Sequence, residues 1–136
     1  MDSIHRDLAQ ACLSGAETGA MTFPEIVGAL TEGGFDGYAV DLRRGATVYY
    51  LPDGDHIEFR TDHLLAVAEA FDLDVVRQAI REAQTLADGY SYPGFCRKVA
   101  GAGCAGYMVS FPGRRVLYYG RTGETHTEHF PGASDR

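Results

Sequence analysis

TFPEIVGALTEGGFDGYAVDLRRGATVYYLPDGD, residues 22–55, aligns without a gap with residues 91–124, SYPGFCRKVAGAGCAGYMVSFPGRRVLYYGRTGE. Eight of the 34 aligned pairs are identical, whereas unrelated segments of ordinary composition would share roughly two. The identities include the pairs Gly34 with Gly103 and Tyr49 with Tyr118. Because they fall at matching helix, strand and turn positions, the alignment predicts an internal duplication.

Each copy is predicted to open with a helix. Thr22 followed three residues later by Glu25 is the capping-box pattern that begins a helix. Apolar residues then recur at the spacing of one helical face, namely Phe23, Ile26, Val27 and Leu30 in the first copy and Tyr92, Phe95, Cys96 and Val99 in the second. Gly34 and Gly103 follow, and each is expected to end its helix in the left-handed conformation.

Alternating apolar and polar residues after each helix are typical of antiparallel strands joined by tight turns. The predicted strands are residues 38–42, 46–51 and 56–59 in the first copy and residues 107–111, 115–120 and 124–130 in the second. Another amphipathic helix is predicted upstream of each unit, and Asp74 is the expected N-cap of the second one. The sequence therefore predicts an α+β fold in which a helix-helix-three-strand unit occurs twice around an antiparallel sheet with pseudo-twofold symmetry.

The length and net charge of the chain limit its possible architectures and partners. A chain of 136 residues predicts a single domain, 1–136, with a first half of about 1–60, a linker of about 61–73 and a second half of about 74–132. The net charge of -7 opposes a phosphate backbone, so we expect no nucleic-acid partner. Neither a membrane span nor a signal peptide is predicted, and the three cysteines form no CxxC pair. These features predict a cytoplasmic protein with free thiols and no membrane partner.

Gly101, Gly103 and Gly106 have the G-x-G-x-x-G spacing of a dinucleotide-binding loop. Such a loop needs a strand before the glycines and a helix after them, so that helix N–H groups meet the pyrophosphate. Here the predicted order is helix, glycines, strand. We therefore expect no dinucleotide at this motif and no cofactor for the protein.

Seven motifs between residues 22 and 132 carry a family resemblance, namely TFPEIVGAL, GYAVDLR, TVYYLPDG, AIREAQ, YPGFC, AGCAGYMVS and YYGRTGETHTEHFPG. They resemble the YbcV-like family, bacterial and prophage proteins classed as a domain of unknown function. The resemblance implies the α+β fold, and it brings no activity and no catalytic residues. Some members carry the label phage envelope protein, which says little about chemistry.

The two copies differ most in the third strand. Ile57 and Phe59 of the first copy correspond to His126 and Glu128 in the second. Since side chains on one face of a strand recur every second residue, Glu124, His126 and Glu128 are expected to share a face. A carboxylate beside an imidazole raises its pKa and orients it, so His126 is the candidate acid or base and Glu128 or Glu124 the residue that orients it.

Two other interpretations of this strand stay open. A terminal strand with alternating charges is also typical of a solvated sheet edge that resists pairing with other chains. Metal binding by the same residues is disfavoured, because three ligands on one straight strand rarely converge on an ion. We therefore expect no metal, and burial of the His126 face decides between a site and an edge.

Tyr119, Tyr50, Arg121 and Asp41 are the candidate substrate-binding residues. Tyr50 follows Tyr49 and Tyr119 follows Tyr118, so one phenol of each pair is expected on each face of the sheet, where packing is the alternative role. Asp41 is open to a structural pairing with a nearby arginine, and Arg121 binds an anion only if it faces the cleft. The cysteines replace apolar residues or lie on a helix stripe, so they are expected to be structural.

The favoured function is cofactor-independent acid/base chemistry on a small molecule, of the isomerase, cyclase or lyase type. The alternative is a non-catalytic module, of phage origin, that binds a ligand or a protein. The sequence leaves open whether the protein is an enzyme and whether it forms a homodimer.

Overall fold

A computed structural model describes residues 1–61 and 64–130 of the chain. Over these residues the protein forms four helices and one six-stranded antiparallel sheet, and the predicted α+β class is confirmed. The helices are α1 (Ser3–Thr18), α2 (Phe23–Glu32), α3 (Leu73–Thr85) and α4 (Tyr92–Gly101). The strands are β1 (Gly37–Asp41), β2 (Ala46–Tyr50), β3 (His56–Arg60), β4 (Cys104–Ser110), β5 (Arg115–Gly120) and β6 (Thr125–His129). Residues 62–63 of the predicted linker and residues 131–132 of the predicted second half lie outside the described residues.

The predicted ends of α2 are confirmed. The Thr22 N–H donates to Glu25 Oε1 at 2.8 Å, and the Glu25 N–H donates to Thr22 Oγ1 at 3.4 Å. At the other end, Gly34 has a φ of 90°, and the Phe35 N–H donates to the Leu30 carbonyl at 3.0 Å. This is the Schellman pattern, which requires a residue that adopts positive φ without strain.

The predicted N-cap of α3 is wrong by two residues. The carboxylate of Asp72, rather than that of Asp74, accepts the N–H of Val75 at 3.3 Å. The carbonyl of Asp72 also accepts the N–H of Val76 at 3.1 Å, so the helix begins at Leu73. Asp74 lies in the first turn, where the positive end of the helix dipole favours a carboxylate.

The order of strands in the sheet is β3-β2-β1-β4-β5-β6. The two helix-helix-three-strand segments therefore meet at the antiparallel pair of β1 and β4. In this pair Ala39 lies opposite Met108, which is the residue aligned with Ala39 when the sequence is shifted by 69 positions. A twofold relation between the segments requires such a register. Their common origin stays a prediction.

The helices cover one face of the sheet. Tyr38 and Val40 of β1 and Tyr107 and Val109 of β4 are buried in a core that also includes residues of every helix. Side chains on the opposite face are more accessible, and Met108 is exposed. No helix in the described ranges combines the length and the apolar character needed to cross a membrane.

Candidate functional site

A cavity of about 660 Å³ lies between the covered face of the sheet and the helices. Every helix contributes to its wall, and so do strands of both halves of the sheet. The apolar helix residues on the wall include Cys12 and Leu13 of α1, Ile26 of α2 and Ile80 of α3. The cavity has the size of a small-molecule site.

Four tyrosines of the sheet form the floor of the cavity. Tyr38 lies opposite Tyr49 in the pairing of β1 with β2, and Tyr107 lies opposite Tyr118 in the pairing of β4 with β5. The ring centroids are 5.3 Å apart in the first pair and 5.4 Å apart in the second. These tyrosines share a face because side chains of a strand alternate and facing residues of neighbouring strands point the same way.

Some of the tyrosine hydroxyls on this floor form hydrogen bonds within the protein, and others do not. The Tyr107 and Tyr92 hydroxyls are hydrogen-bonded to each other at 2.5 Å. The hydroxyls of Tyr38, Tyr49 and Tyr118 have no hydrogen-bond partner across residues 1–61 and 64–130. In these same ranges, every polar side-chain atom that is fully enclosed does have a partner, so the three hydroxyls are not fully enclosed. These hydroxyls therefore reach the open space of the cavity that they line.

The floor tyrosines are protonated at neutral pH. Burial raises the pKa of Tyr38, Tyr49 and Tyr118 well above the ordinary phenol value of 10.0, because charge is disfavoured away from water. Each of the three unpartnered hydroxyls thus carries a proton that it can donate to an acceptor atom of a ligand.

His126 and Glu128 form a pair on β6 at the side of this cavity. His126 Nε2 is 2.8 Å from Glu128 Oε2, and the exposed fractions of the two side chains are 17% and 34%. The imidazole stacks on Tyr118, with ring centroids 6.4 Å apart and an interplanar angle of 27°. Glu128, rather than His126, lines the cavity. The carboxylate is therefore the member of the pair that a bound molecule would meet.

Glu124 is not brought to this pair. It lies in the turn before β6, and its carboxylate accepts a hydrogen bond from the Thr122 hydroxyl. That hydrogen bond is the largest influence lowering the pKa of Glu124. The predicted row of three side chains is thus a close pair on the strand and a separate turn carboxylate.

The four candidate substrate-binding residues lie away from the cavity wall. Tyr50 is exposed, and it pairs by ring contact with His56. Asp41 accepts the N–H groups of the second and third residues after it, Arg43 at 3.0 Å and Arg44 at 3.2 Å. Arg121 donates to the carbonyl of Val67 at 3.2 Å and so holds the connection between the halves.

Tyr119 lies on the opposite face of the sheet from its neighbour Tyr118. A Cβ atom placed on Gly106 of β4 would collide with the Tyr119 hydroxyl. Burial raises the pKa of Tyr119, and the nearby charge of Asp41 adds to that rise. The tyrosine thus packs across the glycine toward Asp41.

Sequence reasoning missed the floor tyrosines. It placed one phenol of each pair on each face, which is correct, since Tyr49 is 3% exposed and Tyr50 is 40% exposed. A cross-strand signal distinguishes the two faces, because Tyr49 lies opposite the apolar Ile57 whereas Tyr50 lies opposite His56. The face that carries the apolar partner is the one that the helices cover.

The cysteines are buried free thiols. Burial raises the pKa of Cys12 and Cys104, and it raises the pKa of Cys96 to about 11. All three are therefore protonated near neutral pH and are poor nucleophiles. Within the described residues, no three His, Cys, Asp or Glu side chains are placed to hold a metal ion.

Comparison with known proteins gives one family match. A family model described as "Protein of unknown function (DUF1398)" matches residues 13–128, which include the floor tyrosines, His126 and Glu128. Among curated proteins, none matches the sequence.

Proposed function

Since the chain belongs to DUF1398, a family of unknown function, we propose a function from the site itself: the cavity binds a small molecule, and Glu128 exchanges a proton with it. The observation that carries this proposal is the set of unpartnered, protonated hydroxyls of Tyr38, Tyr49 and Tyr118 in a mostly apolar cavity. Buried polar groups normally have partners, and a ligand atom that accepts hydrogen bonds could serve as one here.

The His126–Glu128 pair supplies the acid/base step. A proton that leaves a carbon or oxygen of the ligand would pass to Glu128, and the 2.8 Å contact with His126 holds the carboxylate in place. The floor hydroxyls would stabilise negative charge that develops on a ligand carbonyl oxygen. This combination corresponds to cofactor-independent isomerase, cyclase or lyase chemistry.

A non-catalytic binding module is the second candidate. β6 is one of the two edge strands of the sheet, and Thr125 and Thr127 on one of its faces are exposed. The other face is partly covered, and Phe130 just beyond it packs edge-on against Phe23 at 5.6 Å. Coverage of that second face favours the ligand site over a flat protein-binding edge.

We also propose a subfamily and a cellular location for the protein. The motifs between residues 22 and 132 support a place for the protein among the YbcV-like, phage-associated members of the family. The three buried free thiols support a cytoplasmic location, since reducing compartments keep thiols free.

Deuterium exchange separates an enzyme from a binding module. The protein is incubated in deuterated buffer with a panel of aryl ketones, and mass spectrometry follows deuterium uptake at the carbon next to the carbonyl. We expect uptake above the buffer rate for wild-type protein and loss of that excess for Glu128→Gln, which keeps the size of the side chain. The variant Glu124→Gln, in the turn, is the matched control and should retain the uptake. Binding without any excess uptake would establish the module instead.

A further inference from the structure

We propose that the ligand of the cavity is an organic cation, an ammonium group on an apolar body; this inference rests on the proposed function of the cavity as a small-molecule site. The evidence is the charge of the wall. Glu17, Asp88 and Glu128 line the cavity, whereas no Lys or Arg among the described residues does. An anionic ligand would meet three carboxylates and no fixed positive charge.

The carboxylates surround the cavity from different elements. Glu17 comes from the last turn of α1, Asp88 from the connection between α3 and α4, and Glu128 from β6. Burial raises the pKa of Tyr49 and Tyr118, and the charges of Glu17 and Glu128 respectively add to these rises. The negative field of both carboxylates therefore reaches the tyrosines of the floor.

The imidazoles beside these carboxylates do not make the wall positive. His129 lines the cavity and His126 contacts Glu128. Protonation of both imidazoles would offset two of the three carboxylate charges, so the wall would still carry a negative charge. A ligand cation has no competing fixed cation on the wall.

The aromatic rings on the cavity wall also favour a cationic ligand. Besides the floor tyrosines, Tyr90, Tyr92 and Phe95 line the cavity. The faces of such rings attract ammonium groups, and the attraction is stronger where water is excluded. A cation with an apolar body would thus meet carboxylates at the wall, rings around it and hydroxyl oxygens that can also accept hydrogen bonds from an ammonium N–H.

Ligands that share an apolar body and differ in the charge of their polar end group test the inference. We would titrate the protein with phenethylammonium, phenethyl alcohol and phenylacetate, and with the naphthyl counterparts of the three, by calorimetry. The ammonium member of each set should bind at least about tenfold more tightly than the alcohol, and the carboxylate should bind weakest. Added salt should weaken ammonium binding and leave alcohol binding nearly unchanged.

The outcomes separate this inference from the proposed function. Equal binding of ammonium and alcohol overturns the cation preference and leaves the small-molecule site standing. Tightest binding of the carboxylate likewise overturns the cation preference. If no member of either set binds, both the cation inference and the proposed site are wrong.

Replacing one wall carboxylate by an uncharged side chain tests whether the wall causes the preference for the ammonium ligand. Glu17→Gln removes one wall charge outside the His126–Glu128 pair and should weaken ammonium binding about fivefold without changing alcohol binding. Glu32→Gln is the matched control, because Glu32 is an exposed helix residue that does not line the cavity. Equal losses in the two variants would show that net charge, rather than the wall, sets the preference.

Discussion

Tyr118 and Tyr107 lie opposite each other on the sheet, yet their hydroxyls have different surroundings. The Tyr107 hydroxyl is hydrogen-bonded to Tyr92, whereas that of Tyr118 has no partner among the described residues. Both rings are buried in the core. At the scale of single residues, the same side chain therefore forms a hydrogen bond within the fold at one position and, in the function proposed above, binds a ligand at the other.

We expect Tyr107→Phe to lower the free energy of unfolding by about 1 kcal/mol, because it leaves the Tyr92 hydroxyl without its partner. Tyr118→Phe should change it by less than about 0.5 kcal/mol, because the ring stays packed and no protein hydrogen bond is lost. Urea unfolding of the two variants measures the difference. Similar losses in both would contradict the assignment of the Tyr118 hydroxyl to the cavity.

The contact between His126 and Glu128 was foreseeable in part. Replacement of Ile57 and Phe59 by ionisable residues at the aligned positions predicts a special face on the last strand, and strand periodicity predicts that the two side chains are neighbours. Which of them faces the cavity depends on where the helices pack, and α2 contributes Phe23 to the cavity wall from the other half of the chain. No local pattern contains that information.

Helix ends show how far local sequence signals reach. The capping box of Thr22 and the terminal glycines Gly34 and Gly103 are recognised from spacing alone, since their hydrogen bonds lie within a few residues. The start of α3 is ambiguous, because Asp72 and Asp74 are both good capping residues. The choice between them depends on the connection before the helix, where the Asp72 N–H donates to the Ala102 carbonyl at 2.7 Å.

Alanine substitution distinguishes the two aspartates. Asp72→Ala should lower the free energy of unfolding by about 1 kcal/mol, because the N–H of Val75 loses its acceptor. Asp74→Ala should lower the free energy of unfolding by only about 0.3 kcal/mol, because it loses the interaction with the helix dipole alone. Thermal or urea unfolding provides the comparison, and a larger loss for Asp74→Ala would place the cap where the sequence alone suggested.

At the scale of the whole molecule, the two segments are joined at β1 and β4. Gly37 and Gly106 occupy aligned positions in these strands, and a Cβ atom at either would collide with a carbonyl oxygen of the opposite strand, Val109 for Gly37 and Val40 for Gly106. The two glycines are an identical pair in the sequence alignment, which does not explain why glycine stands there. The reason is the close approach of the two strands at the centre of the sheet.

Gly106→Ala should therefore lower the free energy of unfolding by about 1–3 kcal/mol, through overpacking against the Val40 carbonyl and the Tyr119 hydroxyl. Gly28→Ala is the matched control, since Gly28 lies on an exposed position of α2 with open space around it. That substitution should stabilise the protein by about 0.5–1 kcal/mol, because alanine favours the helix. If Gly106→Ala left the free energy of unfolding unchanged, the central strands would be able to move apart without cost.

The most direct measurement of the central claim, that the cavity binds the ligand, is NMR of the protein labelled with ¹³C in its tyrosine rings. A titration with the tightest ligand of the panels should shift the ring signals of Tyr38, Tyr49 and Tyr118 and leave those of Tyr50, on the opposite face, in place. Shifts at Tyr50 with unchanged signals from the floor tyrosines would contradict the account, because they would place the ligand on the uncovered face of the sheet.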